Sequence, residues 1–341
     1  MPTPVEITRV DPFDDDAVNA WWHAYAAAKT ADMGEHATRW SLEETRSELQ
    51  QHSEVVDRRA YLATAGGRVV GSGSLALMLK DNRHLARLGV TVPPAHRRRG
   101  IGTALLQHIE AVAASEGRTT LAADTSWPAS APADGSGQPG REFARRHGYD
   151  IALGDLQSRL RLPVDDRVIS ELLDESAAAS AGYSTRSWVG PVPDELVAAW
   201  AVLDSSLDTE APTGDLDLEA TAPDVADIRE SEELIATQGR TSFGTVALTS
   251  DGQVAAYTQI VISRDDGNAF QWGTLVRRED RGHRLGLRVK LENLRMLQRH
   301  TPLPPQIYTF NADSNTHMLA VNRRLGFEPV GRMAELQKRT V

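Results

Sequence analysis

Hydrophobic positions along the chain alternate between two-residue spacing and spacing near four, and they do so twice in the same order. Val5-Glu6-Ile7-Thr8 reads as a short strand. Asp14 to Asp16 open a helix that continues through the Ala- and Trp-rich stretch 17–31. Ser41 with Glu44 three residues later spells a capping box. Strands over 60–64 and 69–79 flank a turn at Gly66-Gly67, and a third over 85–92 ends at Pro93-Pro94, since proline brings no ladder donor. Ile101, Leu105, Ile109 and Val112 then recur at helical spacing, and Gly117 closes that helix. A strand over 119–123, a Pro/Gly/Ser-rich loop over 127–140, a helix over 141–147 and a strand near 157–162 complete the first half.

The plan restarts at Tyr183-Ser184-Thr185-Arg186. Helices are expected over 194–203 and 224–237, with strands over 243–248 and 254–262 around Asp251-Gly252. A strand over 269–276 leads into Arg281-Gly282-His283-Arg284-Leu285-Gly286, and Leu287, Leu291, Leu294 and Leu297 mark the following helix. A strand over 307–310, a helix over 314–325, the Gly326-Phe327 turn and a strand over 328–336 close the chain. Gly102 and Gly286 stand 184 residues apart, and Gly148 and Gly326 stand 178 apart. The Pro/Gly-rich loop of the first half absorbs the difference. Two related domains are therefore expected, over 1–163 and 183–341, joined by an acidic, alanine-rich linker over 164–182 with some helix of its own.

Composition narrows the function. No run approaches the roughly 18 apolar residues of a membrane span, and the N-terminus has no basic stretch followed by an apolar one. The 341 residues include no cysteine, so there is no disulfide framework, thiolate metal site or cysteine nucleophile, and a reducing cytoplasm is the expected compartment. No metal site is expected. A formal charge of −10 opposes general nucleic-acid binding but permits a local basic site.

Such a site stands at Arg97-Arg98-Arg99-Gly100-Ile101-Gly102. A helix N-terminus presents free N–H groups and partial positive charge to an anion. Glycines let a ligand approach the backbone, and arginines add charge-assisted bonds to phosphate. By itself a Gly-X-Gly is an ordinary helix start, and a basic run is most often a solvated face. The succession of strand, Pro93-Pro94, arginines, glycines and amphipathic helix is more specific.

This segment resembles the Gln/Arg-X-X-Gly-X-Gly/Ala pattern of the GNAT acetyltransferases. The resemblance implies an α/β (α+β) fold of two tandem domains, each a mixed, mostly antiparallel sheet flanked by helices. It also implies acetyl-CoA as cofactor. Val90, Thr91 and Val92 would bind the pantetheine arm, and Arg97, Arg98, Arg99, Gly100, Ile101, Gly102 and Thr103 would cradle the pyrophosphate. The tandem plan is similar to actinobacterial two-domain GNAT proteins, including those of the mycothiol synthase type, in which one domain is sometimes degenerate.

The second half departs from the pattern. Val276, Arg281, Gly282, His283, Arg284, Leu285 and Gly286 correspond to the first loop, with Arg284 in place of its first glycine. That side chain either obstructs the pyrophosphate or adds a contact to it, and the sequence leaves both open. The closing segment, Asn311-Ala312-Asp313-Ser314-Asn315 through Leu325-Gly326-Phe327, is similar to the family's last strand-helix-turn. Asn315 is either a contact to the cofactor arm or a helix-start residue.

For catalysis, the resemblance implies a tyrosine acid five positions before the closing aromatic. Those positions hold Ala144 and Asn322. His84 and Tyr308 are the candidate substitutes, and Gln271 and Trp272 are candidates for an acceptor pocket. The implied reaction is direct acetyl transfer to a small-molecule or peptide amine by a monomer or homodimer, without nucleic-acid or membrane partners. The alternative is a non-catalytic acyl-CoA-binding or regulatory protein.

Overall fold

The computed structural model describes residues 4–265, 267–300 and 302–340. The chain passes through β1 (Val5–Arg9), α1 (Asp15–Met33), α2 (Leu42–Gln50), β2 (Val56–Ala65), β3 (Arg68–Met78), β4 (Leu85–Thr91), α3 (Ile101–Ser115), β5 (Thr120–Pro128), α4 (Pro139–Arg146) and β6 (Asp150–Arg161). It continues through α5 (Asp166–Ala177), β7 (Ser184–Val189), α6 (Asp194–Ser205), α7 (Leu207–Glu210), α8 (Val225–Thr237), β8 (Thr241–Leu248), β9 (Val254–Ile262) and β10 (Ala269–Val276). The last elements are α9 (Leu285–Leu297), β11 (Gln306–Ala312), α10 (Thr316–Leu325) and β12 (Glu328–Arg339).

Two compact units result. Unit 1 runs to Asp155 and takes in Gly214–Glu219 and the chain from Val330, while unit 2 comprises Leu156–Thr213 and Ala220–Pro329. In unit 1 the strands lie in the order β1-β2-β3-β4-β5-β12, antiparallel except for the parallel pair β4–β5. The last strand of the chain thus completes the first unit's sheet, from Gly331 opposite Pro128 to Arg339 opposite Thr120.

The two-residue period sorts β2 between two cores. Tyr61 and Ala63 join Leu105 and Ile109 of α3, whereas Ala60 and Leu62 join Val18 and Trp21 of α1. Leu105 and Ile109 are fully buried, each stabilising the fold by roughly 1.5–3 kcal/mol. The acidic start of α1 is a cap, Asp14 accepting from the backbone N–H of Asp16 and Ala17, and Gly34 ends the helix at φ 59°. The Ser41–Glu44 capping box forms in both directions.

In unit 2 the order is β6-β11-β10-β9-β8-β7, with β10–β11 parallel. The leucine stripe of α9 is buried as its spacing predicts, packed with Ile169 and Leu173 of α5. The helix expected between the halves is therefore α5, and it contributes to the second unit's core.

Some boundaries differ from the sequence pattern. β2 starts at Val56, where Arg58 pairs with Glu48 and Arg59 with Asp57, so strand charges hide its first turn of ladder. The stretch 127–140 is partly regular. Trp127 ends β5 inside the core with its indole N–H on the Pro132 carbonyl, and Pro139 opens α4. β6 begins at Asp150, before the apolar run that signals it.

Candidate functional site

β4 and β5 pair only from Leu85–Thr120 to Arg87–Ala122, whereas β3 stays paired with β4 as far as Thr91. From Leu88 onward β4 therefore has no strand partner on its β5 side, and a wedge opens beside Gly89, Val90 and Thr91. The chain then makes a tight turn over Pro94–His96, and Arg98 and Gly100 take left-handed backbone angles of φ 64° and 81°. Ile101 begins α3, whose first turn has no side-chain cap. Its leading N–H groups are left to an outside acceptor.

The two glycines have different reasons. Gly100 needs its backbone angle, and a Cβ there would meet nothing within 4 Å. Gly102 lets α4 approach, since its Cβ would lie 3.2 Å from the Phe143 ring. Thr103 meets His147 of α4 at 3.2 Å. The arginines also divide. Arg97 donates from Nε to the Val92 carbonyl at 2.8 Å and forks onto both oxygens of Asp32 at 2.7 and 3.0 Å. It fastens the loop to α1. Arg98 and Arg99 are exposed and form no ion pair among the described residues. His96 Nδ1 is buried without a hydrogen-bond partner. Free backbone donors, two unengaged guanidinium groups and open space at Gly100 fit a phosphate-bearing group such as the pyrophosphate of CoA.

Beside the wedge, α1 carries a polar stripe. Trp21 donates to the Gly73 carbonyl of β3 at 2.8 Å, Lys29 reaches Asp124 of β5 at 3.1 Å, and Asp32 holds Arg97. Asp124 lies two residues beyond the last β4–β5 pair. Lys29 and Asp124 favour one another's charged forms, raising the lysine pKa and lowering the carboxyl below its usual range. Burial raises the Tyr25 phenol, one turn before Lys29. These residues escaped the sequence reading. The signal was the spacing of Tyr25, Lys29 and Asp32, which places all three on one face of an otherwise alanine-rich helix.

His84 stands in the turn before β4, at the end away from the loop, within 3.8 Å of both Asp217 and Glu219. Those acids belong to the short segment that unit 1 takes in, which Asn82 and Thr120 also hold.

The second unit repeats the wedge and the loop. β10 and β11 pair only at Ala269–Ile307 and Phe270–Tyr308, and β10 shifts register against β9 between Gln271 and Thr274. Gln271 donates into that irregularity, to the Thr258 hydroxyl at 2.9 Å and the Gln259 carbonyl at 2.7 Å. Trp272 lies 6.0 Å from the Arg240 guanidinium. Past Val276 the backbone turns as in the first loop, with Gly282 and Arg284 left-handed at φ 87° and 56° before Leu285 and Gly286 open α9. Arg281 repeats Arg97, its Nε on the Val276 carbonyl at 3.4 Å and its Nη2 on Glu210 at 2.6 Å, a single bond where Arg97 makes two. The Tyr308 hydroxyl is buried and accepts from Gln306 at 3.1 Å. Asn315 caps α10, accepting from Met318 N–H at 3.1 Å. Asn322 donates to Asn311 at 2.6 Å.

Residues 18–135 match the Acetyltransferase (GNAT) family. Over its whole length the chain is similar to a tandem GNAT protein from the clavulanic acid biosynthesis pathway, with 29% identity, 98% of each chain covered and a TM-score of 0.78. A GCN5-related N-acetyltransferase from Sphaerobacter thermophilus shares the fold at 16% identity and a TM-score of 0.64, over 98% of this chain and 95% of that one. No curated protein matches the sequence. The fold is that of a tandem GNAT protein.

Proposed function

We propose that the protein transfers an acetyl group from acetyl-CoA, bound at the first unit's loop, to a primary amine of a small molecule or peptide. The observation that carries this reading is the open β4–β5 wedge running into residues 97–103, where the helix start is uncapped and two arginines are unengaged. When bound, the cofactor supplies an activated thioester.

The chain's own residues provide binding and position. Arg97, pinned by Asp32, fixes the loop, while Arg98, Arg99 and the α3 N-terminus hold phosphate. The edge of β4 over Gly89–Thr91 orients the arm. Asp124 receives the acceptor's ammonium. Its depressed pKa makes it a poor proton acceptor near neutral pH, so it anchors the amine and leaves the proton to water. The acceptor class is therefore a cationic amine.

Release of free CoA thiol, followed across a panel of cationic and neutral amines, tests this proposal. Turnover with a cationic amine is expected. A second reading, an acyl-CoA-binding protein without turnover, draws on Ala144 and Asn322, which put no phenol where the resemblance implies an acid. Tight acetyl-CoA binding with no thiol release from any amine would establish it.

A further inference from the structure

The two loops share a backbone and differ in what covers them. In unit 2 the chain from Glu175 to Tyr183, the end of α5 and the residues after it, lies along the second loop. Arg284 donates to the Glu175 carboxylate at 2.6 Å and to its carbonyl at 3.3 Å, and Arg324 pairs with the same carboxylate. His283 meets the Ala179 carbonyl at 3.2 Å, and Arg288 reaches the Ser180 hydroxyl at 3.3 Å. The Tyr183 ring packs 5.3 Å from His283, and its hydroxyl donates to Asp280 at 2.8 Å. From the other side Glu210 takes Arg278 at 2.9 Å and Arg281 at 2.6 Å. Arg281 and Arg97 each hold a carboxylate, but Arg284 and Arg324 beside the second loop also hold one, whereas Arg98 and Arg99 of the first loop hold none among the described residues.

We propose that the second loop is an anion site that the protein closes with its own chain. Glu175 neutralises the Arg284 and Arg324 guanidinium groups that a phosphate-bearing ligand would use, and residues 175–183 form the strap, while Glu210 holds Arg281 as Asp32 holds Arg97. The resting protein then binds one CoA, at unit 1. The inference rests on reading both loops as CoA-phosphate cradles. Exposed ion pairs are individually weak and screened by salt, so the strap competes with a ligand rather than excluding it outright. The Glu175 cluster and the strap's hydrogen bonds together lower the second site's affinity by on the order of tenfold to a hundredfold.

Isothermal titration with CoA and native mass spectrometry test this on the full chain. The wild type is expected to take one equivalent. The double variant Glu175→Gln, Tyr183→Phe, which cuts two ties of the strap, should take two, the second at least about tenfold tighter than any second event in the wild type. Combined with Gly100→Trp, which fills the first site, the double variant should keep one equivalent while Gly100→Trp alone keeps none. A folded double variant that still binds one equivalent would overturn the strap, as would a wild type that binds two with similar affinity. A wild type that binds no CoA would defeat the cofactor reading instead. The double variant would then judge the strap separately, since binding gained supports it and binding still absent overturns it.

Discussion

The guanidinium of Arg97 closes on the carboxylate of Asp32 through two hydrogen bonds, 2.7 and 3.0 Å long, joining the loop before α3 to the last turn of α1. Forked pairs of this kind fix orientation as well as charge. Both side chains are about a quarter to a third exposed, so the pair's net stability contribution is on the order of 1 kcal/mol. Asp32→Ala should lower the unfolding free energy by no more than that, yet weaken acetyl-CoA binding about tenfold by letting the loop move. Calorimetric titration beside a denaturant melt checks it. Unchanged affinity with lowered stability would reduce the pair to a plain surface bridge.

The loops exchange glycine and arginine between two left-handed positions. Arg98 and Gly100 hold them in one, Gly282 and Arg284 in the other. A left-handed angle costs a residue with a Cβ roughly 1–2 kcal/mol. Arg98→Gly should therefore be more stable than Arg98→Ala by about 1 kcal/mol, although both lose the charge and bind CoA more weakly. Gly100→Ala should lose about 1–2 kcal/mol despite the open space around its Cβ. Equal stabilities for the two Arg98 variants would show that the backbone angle is not what the position selects.

The alternation of periods made nearly every element legible, because burial of one strand face or helix stripe writes itself into spacing. α3 and α9 follow their leucine and isoleucine stripes closely. Strand partners left no such trace. Nothing in Glu328 to Arg339 says that β12 pairs with β5, a strand some 200 residues earlier, because pairing partners depend on chain topology. On the site, the motif gave the loop but not the uses of its residues. Gly102 answers to Phe143, Arg97 to Asp32, and the pair Lys29–Asp124 joins residues far apart in the chain.

That pair offers a kinetic test of the acceptor side. If Asp124 binds the ammonium of the acceptor, Asp124→Asn should raise KM for a cationic amine about tenfold or more and leave KM for acetyl-CoA within twofold. Lys29→Met frees Asp124 from its internal partner and should lower KM for the same amine. Steady-state kinetics with each substrate varied in turn separates these effects. A fall in kcat at unchanged amine KM would assign Asp124 to the proton transfer instead.

Lys290 lies in the interior of α9, 3% exposed, with its ammonium nitrogen 5.6 Å from the Phe327 ring. Burial lowers its pKa from 10.5 to about 7. Between about pH 7 and 10.5 the unfolded chain holds a proton at this site that the folded chain lacks, so this residue makes stability rise with pH through that window. The slope is at most about 1.4 kcal/mol per pH unit, and the penalty is complete below about pH 7. Lys290→Met keeps the apolar stem and removes the charge. It should therefore be more stable than wild type by up to several kcal/mol near pH 7, with the gap shrinking steadily toward pH 10. Denaturant unfolding of both proteins at pH 7, 8.5 and 10 measures the gap. A gap that stays constant with pH would mean that the amine keeps its ordinary affinity for protons inside the fold.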